Sequence, residues 1–301
     1  MKVYFPSYYN KFRCIAERCR HSCCVGWEIY LDSHTIEMYE GLAQSESEEI
    51  FSHIDRDAMQ IMLDDGERCP FLECSGLCRL ISNYGEGYIS DICKEHPRFY
   101  HKIGEHLEGG IGVSCEEAAR IILTNDDYDK FIDIEKDALD IPEETELDTL
   151  KWRREIYSIL SDRNASYHAR VDKICEMLAI PERIDTICEW GKLFSELELL
   201  DNSHRDIISV GGRINGEKYS SYLERFLAYL IFRHVSVADS YDNLRARVGF
   251  SILLAKMLEN RVAQHSLNES EIIDTARIIS EEVEYSEDNT AFIVFEFESL
   301  I

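Results

Sequence analysis

Cysteine is distributed very unevenly along this chain of 301 residues. Nine of the eleven cysteines lie between Cys14 and Cys115, and two of these, Cys23 and Cys24, are adjacent. The remaining two, Cys175 and Cys188, fall on the apolar faces of predicted helices and are interpreted as inert core thiols. The crowding has three possible chemical reasons: disulfides, a bound metal, or a redox or nucleophilic thiol.

The N-terminal sequence argues against disulfides. Residues 1–6 contain neither the apolar segment nor the cleavage pattern of an export signal. No run of about 18 apolar residues is present that would predict a membrane span. We therefore expect a cytoplasmic protein that does not enter the membrane. In a reducing compartment, crowded cysteines more often bind metal or take part in catalysis than form disulfides.

The spacing of the cysteines bears on which metal is bound. Zinc sites usually contain a pair of cysteines separated by two residues, and this chain has no such pair. Iron–sulfur clusters are held by thiolates at more varied spacings, although thiolates suit both metals. Spacing alone favours iron–sulfur slightly and keeps zinc as the alternative. Among the histidines, His21 and His96 are best placed to be additional ligands.

Composition restricts the class of partner. The formal net charge is −26, and the acidic excess extends through both halves of the chain. Such a surface argues against nucleic-acid binding, because contacts to phosphates need a basic face. It suits a basic partner, such as a lysine-bearing protein surface.

Apolar residues recur at three- to four-residue steps beyond the cysteines, so the fold class is predicted to be mainly α. We expect an irregular, cysteine-rich, metal-binding N-terminal region, residues 1–124, packed on a helical region, residues 149–301. Residues 125–148 are predicted to be a linker or crossover. Within the N-terminal region, the pattern predicts helix over residues 34–62 and short strands at residues 77–81 and 107–113.

Several sequence blocks together resemble the flagellin lysine-N-methylase family. They are Phe12-Arg13-Cys14-Ile15 followed by Cys19 and Cys23-Cys24-Val25-Gly26-Trp27, then Cys69-Pro70-Phe71-Leu72, Gly76-Leu77-Cys78, Ile92-Cys93 with Pro97-Arg98, and Ser114-Cys115 with Glu117-Ala118-Ala119-Arg120. The resemblance covers residues 1–123 and continues weakly near residues 222–234 and 278–289.

The resemblance implies an enzyme that transfers a methyl group from S-adenosylmethionine to lysine ε-amines of a protein substrate with exposed lysines, flagellin among the candidates. It also implies an iron–sulfur cluster on the cysteines. Cys74 does not match the family pattern. The cysteines that do match are Cys14, Cys19, Cys23, Cys24, Cys69, Cys78, Cys93 and Cys115.

Three residues near these blocks are candidates for a catalytic role. The guanidinium of Arg98 would be a fixed cation beside the cluster or a cofactor carboxylate, or it would form a structural salt bridge. Trp27 would shield the metal site from water or fill the core. Glu117 would accept the proton that the lysine amine, with a pKa near 10.4, must lose, or it is a surface residue.

The sequence departs from the family pattern near its C-terminus. The family tends to have a basic residue and a histidine where this chain has Glu281 and Tyr285, and an asparagine near Arg225. These departures keep an alternative open, in which the chain is a non-catalytic metal-binding or redox-sensing module. The cysteine spacing also leaves radical and polar methyl transfer both open.

Overall fold

The computed structural model describes residues 2–135, 148–181, 187–210 and 217–301, without the side chains of residues 187–189. The predicted mainly α fold class is confirmed. The strands are β1 Lys2–Pro6, β2 Ile54–Asp55, β3 Gln60–Ile61, β4 Arg98–Ile103, β5 His106–Ile111 and β6 Phe131–Glu135. The α-helices are α1 Ser33–Glu40, α2 Gln44–Phe51, α3 Arg79–Tyr84, α4 Asp91–Glu95, α5 Glu116–Leu123, α6 Thr149–Leu160, α7 Tyr167–Leu178, α8 Ile187–Glu196, α9 Ser220–Val235, α10 Tyr241–His265, α11 Glu269–Ile279 and α12 Glu287–Leu300.

The chain forms two compact units. Arg13–Phe99 is one, called here the cysteine unit, and Met1–Phe12 with Tyr100–Ile301 is the other, called here the helical unit. The expected boundaries at residues 124 and 148 stay predictions, and most of the expected linker, residues 136–147, lies outside the described residues.

The cysteine unit is built from short elements around one apolar core. The predicted helix over residues 34–62 is wrong beyond Phe51, where α2 ends and the β2–β3 hairpin begins. The side chain of Asp55 accepts hydrogen bonds from the backbone N–H groups of Asp57 and Ala58, at 2.9 and 3.0 Å, and so closes a turn in place of a helix. The strand predicted at residues 77–81 is also wrong, because α3 begins at Arg79.

A four-stranded sheet in the order β4-β5-β1-β6 belongs to the helical unit, apart from the first two residues of β4. Strand β1 runs parallel to β5 and antiparallel to β6, and its Val3 and Phe5 are fully buried. The strand predicted at residues 107–113 is confirmed as far as Ile111, where β5 ends. Strand β1 was not predicted, because five residues give too short a pattern to separate strand from loop.

The long helices α9, α10 and α12 form the largest part of the helical unit's core. Helix α10 packs on both α9 and α12, and eleven of the sixteen residues of α9 are buried. After Ile279, helix α11 continues as a single π-helical turn, Ser280–Glu284. Within the described residues, no helix is long and apolar enough to cross a lipid bilayer.

A buried ion pair joins the sheet to helix α6. The side chains of Glu108 on β5 and Arg153 on α6 are 1% and 8% exposed, and the guanidinium donates to both carboxylate oxygens. His106 Nε2 lies 2.9 Å from Glu108 Oε1, and Arg153 also donates to Ser236 Oγ at 3.1 Å. Burial would raise the pKa of Glu108, but these hydrogen bonds outweigh it and lower the pKa to about 2.

The pair predicts a specific acid sensitivity. The pKa of Glu108 is lower in the folded protein than the value of about 4.3 expected in the unfolded chain. The ionised carboxylate therefore contributes fully to the free energy of unfolding above pH 5, and this contribution is lost as the pH falls towards 2. Between pH 5 and pH 3, the wild-type free energy of unfolding should fall by about 1.5–2 kcal/mol more than that of Glu108→Gln. Urea unfolding at both pH values measures this. Identical pH dependence in the two proteins would contradict the assignment.

Candidate metal centre

Four cysteines meet in the core of the cysteine unit. Cys69 is one of its buried core residues, and Cys24, Cys78 and Cys93 pack against the same core at half-buried positions. Repulsion from a neighbouring Cys24 thiolate contributes to raising the pKa of Cys69, Cys78 and Cys93, so the four sulfurs lie near one another. Each of these four cysteines lies in a different sequence block that resembles the lysine-N-methylase family. Folding therefore brings these four blocks together.

Backbone pairing holds the first two cysteines side by side. The N–H group of Cys69 donates to the carbonyl oxygen of Cys24 at 2.8 Å, and that of Gly26 donates to Glu67 at 3.1 Å. The two segments thus run antiparallel across this contact, with Val25 opposite Arg68. Gly26 has a φ of +86°, which a residue with a Cβ adopts only with strain.

The other two cysteines lie at short helices. Cys78 is the N-cap of α3, and the nearby backbone N–H groups of Leu80 and Ile81 partly offset the increase in its pKa that burial causes. Cys93 lies inside α4 and is part-buried against the same core. Both short helices thus place a cysteine against the core that contains Cys69.

Burial makes this group of thiols hard to ionise without a cation. Burial raises the pKa of Cys69 to about 12 and that of Cys93 to about 11, and it also raises the pKa of Cys78. Neighbouring cysteines add to each increase because their thiolates would repel one another. Cys24 differs, since a hydrogen bond from Cys23 lowers its pKa to about 6 despite burial.

The donor set fits a soft metal centre. Four sulfur ligands suit either zinc or an iron–sulfur cluster, and a metal's charge would keep all four sulfurs deprotonated. Among the described residues, no three cysteine sulfurs lie within 4.8 Å of one another. Around a single tetrahedral zinc, the sulfurs would be about 3.8 Å apart, given a zinc–sulfur distance of about 2.3 Å.

The other four predicted ligands lie elsewhere. Cys14 and Cys23 are exposed and Cys19 is half-exposed, along the irregular segment that includes the 3₁₀ turn Ala16–Arg18. Cys115 belongs to the helical unit, where it is the N-cap of α5. A metal role for these four stays a prediction. Within the part of the chain whose side chains are described, no cysteine forms a disulfide; Cys188 lies outside that part.

The three catalytic candidates occupy different surroundings. Trp27 packs against the same core as the four thiols, and its ring lies 5.4 Å from that of His96. Arg98 is part-buried and donates to the carbonyl oxygen of Lys94 at 3.1 Å. Glu117 is in the helical unit, where both of its oxygens accept hydrogen bonds from Arg120 at 2.6 and 2.7 Å. Their catalytic roles stay predictions.

Sequence reasoning missed two residues beside the thiols. Arg68 is a cation near Cys24 that helps to lower its pKa, and its guanidinium is fixed by the carbonyl oxygens of Leu72 and Glu73 at 2.8 and 3.1 Å. Tyr39 is fully buried near three of the thiols. Arg68 directly precedes Cys69 in the sequence, and this position next to a predicted ligand could have indicated its place beside the thiols.

A second group of ligand-type side chains lies in the helical unit. Ligand atoms of His204, Glu281 and Glu282 lie within 4.8 Å of one another. The carboxylate of Glu282 already accepts hydrogen bonds from the N–H groups of Leu200 and Asp201, at 2.7 and 3.1 Å, and lies 2.7 Å from His204 Nδ1. With its oxygens so occupied, the group is better explained as a structural network than as a metal site.

Comparison with curated proteins confirms the resemblance to lysine-N-methylases at low identity. The lysine-N-methylase of Salmonella typhimurium strain LT2 is 26% identical over 134 residues, which are 40% of this chain and 32% of the relative. The flagellar biosynthetic protein FliU of Salmonella muenchen is 25% identical over 134 residues, 40% of this chain and 77% of the relative. The match thus spans about a third of the lysine-N-methylase. No family model and no solved structure matches the chain.

The arrangement predicts which cysteines are needed for metal binding. Cys69→Ser and Cys93→Ser should lose most of the bound metal and unfold at a lower temperature, because metal binding and folding are coupled. Cys74→Ser, at an exposed turn, and Cys175→Ser, in the helical unit, should keep wild-type metal content. Elemental analysis of anaerobically purified protein measures this. Unchanged metal content in Cys93→Ser would remove that residue from the ligand set.

Proposed function

We propose that this protein is a lysine N-methyltransferase, which transfers a methyl group from S-adenosylmethionine to lysines of a protein substrate and holds an iron–sulfur cluster in its cysteine unit. The observation that carries the proposal is the convergence of Cys24, Cys69, Cys78 and Cys93, which belong to the blocks that resemble lysine-N-methylases. The names of the relatives support the methylase activity and, through FliU, a flagellar substrate.

The separation of the sulfurs favours iron–sulfur over zinc. A cluster of several iron and sulfide ions is larger than one zinc ion and is held by thiolates that stand further apart. Among the described residues, no three of these sulfurs lie within 4.8 Å of one another, which is in keeping with a centre wider than the zinc tetrahedron. Arg68, beside Cys24, adds a fixed positive charge that would partly offset the negative charge of a thiolate-ligated cluster.

The charge of the cysteine unit suits a basic substrate. Residues 13–99 contain 17 acidic and 8 basic side chains, a net charge of −9. Such a surface would attract a lysine-bearing segment, mainly by raising its rate of encounter. The bound lysine would then have to lose a proton, since only the neutral amine attacks a methyl group. The carboxylate of Glu117, a candidate to accept that proton, is already paired with Arg120.

One observation favours the alternative, a non-catalytic metal-binding or redox-sensing module. The residues that depart from the family pattern have structural partners of their own. Arg277 donates to Glu281 at 2.6 Å, and Arg233 donates to the hydroxyl of Tyr285 at 3.1 Å. If the corresponding family residues act in transfer, this chain uses the positions for packing instead.

An assay of methyl transfer separates the two functions. Anaerobically purified protein should transfer a labelled methyl group from S-adenosylmethionine to flagellin, and flagellin with acetylated lysines should accept none. Cys69→Ser should reduce the transfer by at least the roughly 10–100-fold that loss of a metal ligand's hydrogen-bond partner costs, because it disrupts the metal centre itself. The matched variant Cys74→Ser should retain it. A protein with wild-type metal content that labels no lysine-bearing substrate would contradict the enzyme and favour the module.

A further inference from the structure

The helical unit contains an open cleft whose lining includes none of the cysteines. The cleft has a volume of about 440 Å³ and lies between the sheet and helix α6. Ligand sites in proteins usually have volumes of about 300–1,000 Å³ and are lined by apolar and aromatic groups with a few polar ones. This cleft has that composition.

Aromatic side chains form part of its lining. The rings of Tyr4 on β1 and His106 on β5 are stacked, with centroids 4.5 Å apart and planes inclined by 15°. Phe131 on β6 also lines the cleft and is 36% exposed, a large fraction for an aromatic side chain. A flat aromatic group of a ligand can stack on such rings while its polar edges stay accessible to hydrogen-bonding groups.

Charged groups of both signs line the same cleft. Glu108 and Arg153 are buried and paired with each other, so they provide a fixed polar surface with little net charge. Arg154 on α6 and Asp129 are exposed and line the cleft as well. Among the described residues, neither Arg154 nor Asp129 forms an ion pair with another side chain.

We propose that this cleft binds a zwitterionic ligand that carries a flat aromatic group, the class to which S-adenosylmethionine belongs. Arg154 would bind the carboxylate of the ligand's amino-acid end, and Asp129 would bind its ammonium group. The stacked pair of Tyr4 and His106, together with Phe131, would hold the aromatic base. This inference rests on the proposed function and assigns the methyl donor to a place in the chain.

Two ligands and three proteins test the assignment by calorimetric titration. The full-length, metal-loaded chain is titrated with S-adenosylmethionine and with methylthioadenosine, which keeps the aromatic base but lacks the amino-acid end. Arg154→Ala should weaken S-adenosylmethionine binding on the order of tenfold and leave methylthioadenosine binding unchanged. Lys151→Ala, which removes the same charge from the same helix outside the cleft, should bind both ligands as the wild type does.

A further variant tests the aromatic part of the site. Tyr4→Leu should weaken both ligands by a similar factor, since both carry the base. A thermal unfolding curve for each variant shows whether it is folded, and Phe131→Ala replaces Tyr4→Leu if that variant is not. Wild-type binding of both ligands in Arg154→Ala and in the aromatic variant would overturn the cleft assignment and leave the proposed function standing. Failure of the wild-type protein to bind S-adenosylmethionine would overturn both.

Discussion

Four thiols in one small core, one buried and three half-buried, would repel one another as thiolates unless a cation lies among them. The cysteine unit depends on this constraint. Its four α-helices have only 8, 8, 6 and 5 residues, whereas isolated helices shorter than about 12–15 residues are marginal in water. A metal centre that ties Cys24 and Cys69 to α3 and α4 would supply the cross-link that these short elements lack. With the proposed metal bound, metal binding and folding of this unit would be one event, and chelation would unfold it.

The helical unit is stabilised in a different way. Its long helices α9 and α10 bury continuous apolar faces, and their stability comes from packing rather than from a ligand. Its buried charges are paired within the protein: Glu108 with Arg153, and Glu224 with Arg170. Removing one member of such a pair would leave an uncompensated buried charge, which typically costs about 3–5 kcal/mol. This unit should therefore stay folded when metal is withdrawn, so the two units should respond differently to chelators.

The sequence predicted the long elements well and the short ones poorly. The helical region at residues 149–301 is predicted because long helices such as α9, α10 and α11, of 11 or more residues, give a clear repeat. The β2–β3 hairpin was missed because two-residue strands give no repeat and the turn depends on the side chain of Asp55. Of the predicted ligands, Cys24, Cys69, Cys78 and Cys93 converge, which spacing alone did not single out. Which cysteines converge depends on the backbone pairing of Cys24 with Cys69, far apart in sequence, and on the position of Cys78 at the start of α3. The cleft was missed because Tyr4, His106 and Arg154 are each unremarkable in their own segments.

The identity of the metal tests the account most directly. Protein purified without oxygen should show the broad visible absorption of an iron–sulfur cluster and contain iron and acid-labile sulfide in equal amounts. The absorption should disappear in Cys69→Ser and persist in Cys74→Ser. Stoichiometric zinc without sulfide would contradict the iron–sulfur assignment while keeping a metal site in the cysteine unit. Protein that contains no metal, with its cysteine unit folded as described, would contradict the central claim.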